Sequence, residues 1–111
     1  MIIHKELAMG RWFNFTLMEQ LANVGTDVSR AIRWKNKREA VHSQNALYRA
    51  LELLCLTADD PKNRKRLREI VRMREVLLDY FVGDNQFSST DEQWEKYFYQ
   101  FNYAAALARG R

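Results

Sequence analysis

The sequence has very little proline, glycine and cysteine: one proline, four glycines and a single cysteine in 111 residues. An all-β domain needs many turns, which Gly and Pro usually supply, so their scarcity favours a few long helices. One cysteine excludes an intrachain disulfide and any metal site built from cysteine pairs. No run of apolar residues is long enough for a signal peptide or a membrane span. We therefore expect a cytoplasmic protein with an all-α fold.

The chain does have enough apolar residues for one core. Hydrophobic residues make up 47% of the sequence, which suits a single domain and is too much for intrinsic disorder. Residues 1–9 show no helical pattern, so we expect a loose N-terminal extension there. Met1 and Met9 are equal candidates for the natural start of the chain. Residues 10–111 are expected to form the folded domain.

Two helices are predicted in the first half of the chain. Thr16 and Glu19 have the spacing of a capping box, in which a hydroxyl and a carboxylate each satisfy one backbone N–H. A helix from there to about Lys37 is indicated by apolar residues that repeat every three or four positions: Leu17, Leu21, Val24, Val28 and Ala31. A similar repeat over residues 40–58 predicts the second helix.

Two more helices are predicted in the second half. Asp60 suits an N-cap and Pro61 a first helical position, so a helix should begin there and end near Gly83, a residue suited to a left-handed C-terminal turn. Residues 89–92 have capping-box spacing and precede a helix whose buried side would carry Trp94, Tyr97, Phe98, Phe101 and Ala105. Four amphipathic helices with short connections predict an up-down four-helix bundle.

Apolar residues also lie on the helix faces turned away from this core. A row of mostly small residues on the first helix, which includes Gly25 and Ser29, would permit close approach of another element. A monomer rarely exposes so much apolar surface, so we expect a homo-oligomer. The alternative is an asymmetric bundle in which these residues thicken the core. The candidate interface residues are Met18, Ala22, Tyr48, Met73, Val76, Tyr80, Tyr99 and Tyr103.

Several segments resemble a family of small uncharacterised bacterial four-helix bundle proteins. These segments are Phe13-Asn14-Phe15, Glu19–Gly25, Arg49–Leu54, Asp60–Arg64, Arg74–Leu77, Asp79–Phe81, Tyr97–Tyr99 and Phe101. That family is related in fold to the ribosomal intervening-sequence proteins and to the accessory variability determinant (Avd) of diversity-generating retroelements. The resemblance implies a homopentamer and, as in the retroelement relatives, a basic surface for nucleic acid and a partner reverse transcriptase. It supplies no catalytic residues.

The net charge of +4 conceals an uneven distribution. Residues 30–74 contain thirteen basic and five acidic residues, whereas both flanks are acidic. Such a surface attracts phosphate backbones by releasing counterions. The alternatives are an ordinary solvated face and a surface for an acidic protein partner. The candidate nucleic-acid-binding residues are Arg30, Arg33, Lys37, Lys62, Arg64, Lys65, Arg68 and Arg72.

Two residues on the predicted helices have alternative interpretations. Trp34 lies among basic residues and could stack a nucleic-acid base, but packing on a neighbouring subunit is the preferred interpretation. Arg74 lies on the apolar face of the third helix, where a buried guanidinium needs a carboxylate from Glu19, Glu52 or another subunit. The alternative for Arg74 is a place in a channel or a ligand pocket.

Catalytic interpretations find little support. A di-iron bundle needs two Glu-x-x-His pairs, and the chain has one, Glu39 with His42. Cys55 is flanked by leucines, as expected for a small buried residue. We therefore expect no metal, no cofactor and no enzymatic activity. The predicted function is a cytosolic bundle that self-assembles and binds DNA, RNA or a nucleic-acid enzyme; the alternative is a scaffold for a protein partner without a nucleic-acid role.

Overall fold

The computed structural model describes residues 10–109 and is all-helical, as the sequence predicts. The predicted extension at residues 1–9 lies outside the described residues. Two short 3-10 helices precede α1 and α3. The α-helices are α1 (Leu17–Asn36), α2 (Ala40–Asp59), α3 (Leu67–Phe81) and α4 (Asp91–Arg109), and the 3-10 helices span Arg11–Asn14 and Pro61–Arg66. No strand occurs within residues 10–109.

The start of α1 is the predicted capping box. The Thr16 hydroxyl accepts a hydrogen bond from the backbone N–H of Glu19 at 3.2 Å, and the Glu19 carboxylate accepts one from the backbone N–H of Thr16 at 2.9 Å. These bonds satisfy donors that a helix N-terminus otherwise leaves unpaired. After Asn36 a tight turn leads into α2, and Arg38 adopts a left-handed conformation there with φ of 60°.

The start of α3 differs from the prediction. Asp60 does act as an N-cap, since its carboxylate accepts a hydrogen bond from the backbone N–H of Lys62 at 3.1 Å, and Pro61 does occupy the first position. The helix that they open, however, is the 3-10 helix, and the regular α-helix begins only at Leu67. Tight 3-10 turns are common as connectors of this length.

The end of α3 also differs from the prediction. The helix stops at Phe81, and Gly83 is not left-handed. The left-handed residues of the following loop are Asn85 and Ser88, with φ of 53° and 55°. Glycine suits position 83 for a different reason, because a Cβ there would lie 3.1 Å from the Cα of Asp79.

The start of α4 is a capping box displaced by one residue from the predicted one. The Thr90 hydroxyl accepts a hydrogen bond from the backbone N–H of Gln93 at 3.1 Å, and the Gln93 side chain accepts one from the backbone N–H of Thr90 at 3.0 Å. Ser89 does not complete the predicted capping box, because its backbone N–H already donates to the Asn85 side chain at 2.8 Å. The helix therefore begins at Asp91.

One apolar core joins all four helices, as expected for a four-helix bundle. Helix α1 packs against α2 and α4, whereas α3 packs against α2. Among the described helices, none is both long enough and apolar enough to cross a membrane. The core contains Trp12, Leu21, Val24, Val28, Ile32, Ala50, Leu53, Leu54, Ile70, Met73, Leu77, Trp94, Phe98 and Phe101.

The small residues of α1 form the surface on which α4 packs. A Cβ at Gly25 would lie 2.7 Å from the Cβ of Phe98, so α4 crosses α1 closely there and leaves no room for a larger side chain. Ala22 and Ser29, which are neighbours of Gly25 on the same face, line the groove beside this crossing. The element whose close approach the sequence predicted is therefore α4 of the same chain.

Candidate functional site

Three of the predicted cations share one groove on α1. Arg30, Arg33 and Lys37 line it together with Trp34, and its volume is about 260 Å³. Residues spaced by three, four and seven positions lie on one face of an α-helix, which explains the convergence. We call this surface, formed by Arg30, Arg33, Trp34 and Lys37, the α1 groove.

The cations of the α1 groove differ in how far they are neutralised. Arg30 lies 3.6 Å from the carboxylate of the buried Asp27. Arg33 and Lys37 form no ion pair with an acidic residue within the described part of the chain. The Nζ atom of Lys37 lies 5.5 Å from the ring centroid of Trp34, close enough for a cation–π contact. The groove thus keeps two cations available for an external anion.

Lys35 lies between groove residues in sequence but is occupied elsewhere. Its Nζ donates hydrogen bonds of 2.8 Å to the Tyr80 hydroxyl and to the Asp91 carboxylate. Burial disfavours the charged ammonium, but these two hydrogen bonds outweigh it and raise the pKa of Lys35 above its ordinary value. This ammonium joins α1 to α3 and α4 and adds nothing to the α1 groove.

Trp34 packs within its own chain. It is half-buried, and its ring lies 4.6 Å from the imidazole of His42 on α2, with 33° between the two planes. The preferred interpretation of Trp34, packing on a neighbouring subunit, stays a prediction. The indole of Trp34 lines the α1 groove and packs against His42 of α2.

Arg33 also lines a second groove, between α1 and α4. This groove has a volume of about 280 Å³ and includes Ser29, Glu95, Tyr99 and Asn102. The Ser29 hydroxyl donates a hydrogen bond to the Glu95 carboxylate at 3.3 Å. Because Arg33 lines both grooves, the α1 groove adjoins the groove beside α4.

Exposed aromatic rings continue from the second groove along α4. Tyr99 is 66% exposed and Tyr103 56% exposed, and their ring centroids lie 6.2 Å apart with 23° between the planes. The sequence shows few basic residues near these tyrosines on α4 itself. Arg33, which lines the second groove with Tyr99, comes from α1, and periodicity within one helix cannot reveal a neighbour on another helix.

Four more of the predicted cations form a second surface, on the 3-10 helix and α3. Arg64 and Lys65 are exposed there. Arg68 and Arg72 share a shallow groove with Val71, and the guanidinium of Arg72 lies 5.0 Å from the ring centroid of Phe87. Seven of the eight predicted cations therefore belong to two surfaces on different helices.

Lys62 has a structural partner. Its ammonium is hydrogen-bonded to the buried carboxylate of Asp60 and donates to the backbone carbonyl of Phe13 at 3.0 Å. Burial alone would raise the pKa of Asp60, but hydrogen bonds from Lys62 and Gln20 outweigh it and lower that pKa. Lys62 therefore ties the N-terminal 3-10 helix to the start of the second one.

The predicted interface residues fall into three groups. Met73 is 4% exposed and belongs to the core, so it offers no surface to another copy. Four others are partly buried and pack against the core: Met18, Ala22, Val76 and Tyr80. Tyr48, Tyr99 and Tyr103 remain exposed. Much of the apolar surplus thus thickens the core, as the alternative interpretation expected.

The residues predicted to form a buried ion pair lie in different settings. Arg74 is half-buried on α3, and its Nε is buried without a hydrogen-bond partner among the described residues. The carboxylate of Glu19 serves the capping box of α1, and Glu52 is half-buried on α2. The ion pair of Arg74 with Glu19 or Glu52, which the terminal nitrogens of its guanidinium would form, stays a prediction.

Cysteine and metal chemistry gain no support from the geometry. Cys55 is exposed on α2, so the expectation of a buried residue is wrong: the helix turns this position away from the core. Within residues 10–109, no three His, Cys, Asp or Glu side chains are grouped in a way that could hold a metal ion.

Comparison of the chain with models of protein families, with curated proteins and with solved structures finds no match. The family relationship indicated by the sequence motifs therefore stays a prediction.

Proposed function

We propose that this protein is a non-enzymatic helical protein that binds nucleic acid through the α1 groove. The observation that carries the proposal is the convergence of Arg30, Arg33 and Lys37 around Trp34, with two of the three cations free of acidic partners among the described residues. Cations grouped in this way bind phosphates and release counterions. The second basic surface, with Arg64, Lys65 and Arg68, would extend contact with a long nucleic acid.

We also propose that the protein self-associates through the exposed side of α2. Val41 is 69% exposed and Tyr48 51% exposed, and their spacing of seven residues places them on the same face of that helix. Large apolar side chains on one exposed face are typical of protein–protein contacts. Self-association would repeat the α1 groove and so increase the avidity for a polymeric anion.

The nucleic-acid proposal is tested by fluorescence polarisation over several salt concentrations. Wild-type protein should bind with an affinity that falls linearly with salt on a double-logarithmic plot. In the double variant Arg33→Ala/Lys37→Ala the slope should become shallower by about two, since each lost phosphate contact removes about 0.9 from the slope on duplex DNA. The control variant Arg11→Ala/Arg49→Ala removes the same charge from exposed positions outside the groove and should keep the wild-type slope.

Two outcomes would contradict the proposal. The first is wild-type binding weaker than about 10⁻⁴ M at about 100 mM salt, which lies below the usual non-specific range. The second is an equal loss of slope in both double variants, which would mean that net charge matters and the α1 groove does not. The first outcome would favour a scaffold for a protein partner.

A further inference from the structure

We infer that the α1 groove and the adjoining face of α4 prefer single-stranded to duplex nucleic acid, because they present aromatic rings on which unpaired bases can stack. This inference rests on the proposed function and adds the class of nucleic acid. The track consists of Arg30, Arg33, Trp34, Lys37, Tyr99 and Tyr103.

The first stacking position is Trp34. The ring of His42 on α2 packs against the indole with 4.6 Å between ring centroids, which limits the motion of the indole before a base arrives. The ammonium of Lys37 lies over the same indole ring. Lys37 is exposed, and its long side chain can leave the ring to contact a phosphate while a base takes its place. Trp34 and Lys37 therefore offer a ring and a cation side by side.

The second stacking position is Tyr99, and Arg33 connects it with Trp34. Arg33 lines both grooves, which places a guanidinium between the two rings along the surface. Tyr103 extends the track, with its ring nearly parallel to that of Tyr99. Rings alternating with cations are the usual arrangement in proteins that bind single strands without sequence preference.

A duplex cannot use these rings. Its bases are stacked on one another inside the helix, so it meets the surface with phosphates alone. Only the cations would contribute to duplex binding. The Glu95 carboxylate, which lies in the second groove beside Ser29, repels phosphates there and leaves that groove to the bases.

The test compares an oligothymidylate of about twelve nucleotides, a length within the usual site size, with a duplex of equal length at about 100 mM salt. Wild-type protein should bind the single strand more tightly. Trp34→Leu and Tyr99→Ala should each weaken single-strand binding by about tenfold and duplex binding by less than about twofold. Phe13→Leu, which removes an exposed aromatic ring from the N-terminal 3-10 helix, is the matched control and should change neither affinity.

Acrylamide quenching gives a second readout that does not depend on a variant. Trp12 and Trp94 are only 1% and 7% exposed, so quenching of the tryptophan fluorescence reports mainly on Trp34. The single strand should protect this fluorescence from acrylamide, whereas the duplex should protect it less.

Three results would overturn the inference. Equal binding of strand and duplex, unaffected by Trp34→Leu and Tyr99→Ala, would show a basic groove without stacking and leave the proposed function intact. Failure to bind either nucleic acid would remove the proposed function as well. A change of particle mass in Tyr99→Ala, seen by light scattering with unchanged affinity, would assign the α4 tyrosines to a second copy of the chain.

Discussion

At the residue scale, Gly25 determines how closely α1 and α4 approach each other. Alanine is the better helix former by about 1 kcal/mol, so Gly25→Ala would stabilise an isolated helix. In the folded protein its Cβ would lie 2.7 Å from the Cβ of Phe98, and overpacking of this kind costs about 1–3 kcal/mol. We expect the free energy of unfolding in urea to fall by about 1–2 kcal/mol.

Thr26→Ala is the control for this prediction, since Thr26 is the next residue of α1 and is exposed. Its free energy of unfolding should stay within about 0.5 kcal/mol of wild type. If Gly25→Ala proved more stable than wild type, helix propensity would outweigh packing, and the close crossing of α1 and α4 would not hold in solution.

Gln20 is the centre of a buried polar network at the start of α1. Its side-chain NH₂ donates to the Trp12 carbonyl at 3.0 Å and to the Asp60 carboxylate at 2.8 Å, and its carbonyl accepts from Asn63 at 2.8 Å. Trp12 also donates its indole N–H to the Thr57 hydroxyl at 3.0 Å. The network thus links both 3-10 helices to α1 and α2.

Gln20→Leu should lower the free energy of unfolding by about 2–4 kcal/mol, because it leaves buried polar groups without partners at about 1–3 kcal/mol each. Urea denaturation measures the loss. Asn23→Leu is the matched control, since Asn23 is exposed one turn later and should change stability by less than about 1 kcal/mol. Equal effects of the two variants would argue against a cooperative network.

The sequence predicted some of these residue roles and missed others. Gln20, Asp60 and Asn63 of this network stand in segments that carry the family resemblance, Glu19–Gly25 and Asp60–Arg64, but the sequence could not show that they meet. Gln20 and Asn63 are 43 positions apart and make their bond only in the folded chain. Lys62 was predicted to bind nucleic acid from its charge, and its hydrogen bonds to Asp60 and Phe13 were not foreseeable.

At the element scale, Asp91 holds the first turn of α4 against α1 and α3. Its carboxylate accepts hydrogen bonds from Lys35 at 2.8 Å and Asn36 at 3.1 Å, and also from the Tyr80 hydroxyl. Burial would raise the pKa of Asp91, but these hydrogen bonds outweigh it and lower the pKa. Burial together with the hydrogen bond to Asp91 raises the pKa of Tyr80.

Stability should therefore depend on pH through Asp91. A carboxylate whose pKa is lower in the folded than in the unfolded state contributes stability above the unfolded value of about 3.9, and loses it as the pH falls through the folded value. Asp91→Asn should lower the free energy of unfolding at pH 7 by about 1–2 kcal/mol. The difference in free energy of unfolding between variant and wild type should disappear as the pH falls below about 4.

Glu92→Gln is the control for this prediction, because it removes one negative charge from the same turn at an exposed position. Urea denaturation at several pH values should show a smaller loss for Glu92→Gln and a pH dependence close to that of wild type. A gap for Asp91→Asn that stays constant from pH 7 to about pH 3 would contradict a lowered pKa of Asp91.

The extents of the helices follow closely from local sequence signals, whereas their ends also depend on hydrogen bonds made within the loops. Helix α1 matches its prediction because Thr16 and Glu19 need only each other. The start of α4 was misplaced by one residue because the Asn85 side chain, four positions earlier in the loop, accepts the hydrogen bond of the Ser89 backbone N–H. A loop hydrogen bond of this kind overrides a capping pattern that looks complete in the sequence.

At the scale of the whole molecule, the candidate site was predictable only where it lies on one helix. Arg30, Arg33 and Lys37 were named as candidates on one predicted helix, and their spacing of three and seven positions brings them to one groove of α1. The approach of Tyr99 to Arg33 depends on how α4 crosses α1, and the two residues are far apart in the sequence. The periodicity of a single helix carries no information about how that helix packs against another.

Self-association is the prediction that involves the whole molecule. Light scattering should give a particle mass that is a multiple of the 13.2 kDa chain mass, and five copies are what the family resemblance implies. Tyr48→Arg should reduce the mass toward that of a single chain, because it places a charge on the apolar side of α2 where Tyr48 is 51% exposed. Arg49→Glu, an exposed charge change at the neighbouring position, should have less effect. A wild-type mass of 13.2 kDa at micromolar concentration would refute self-association and leave the exposed face of α2 without this role.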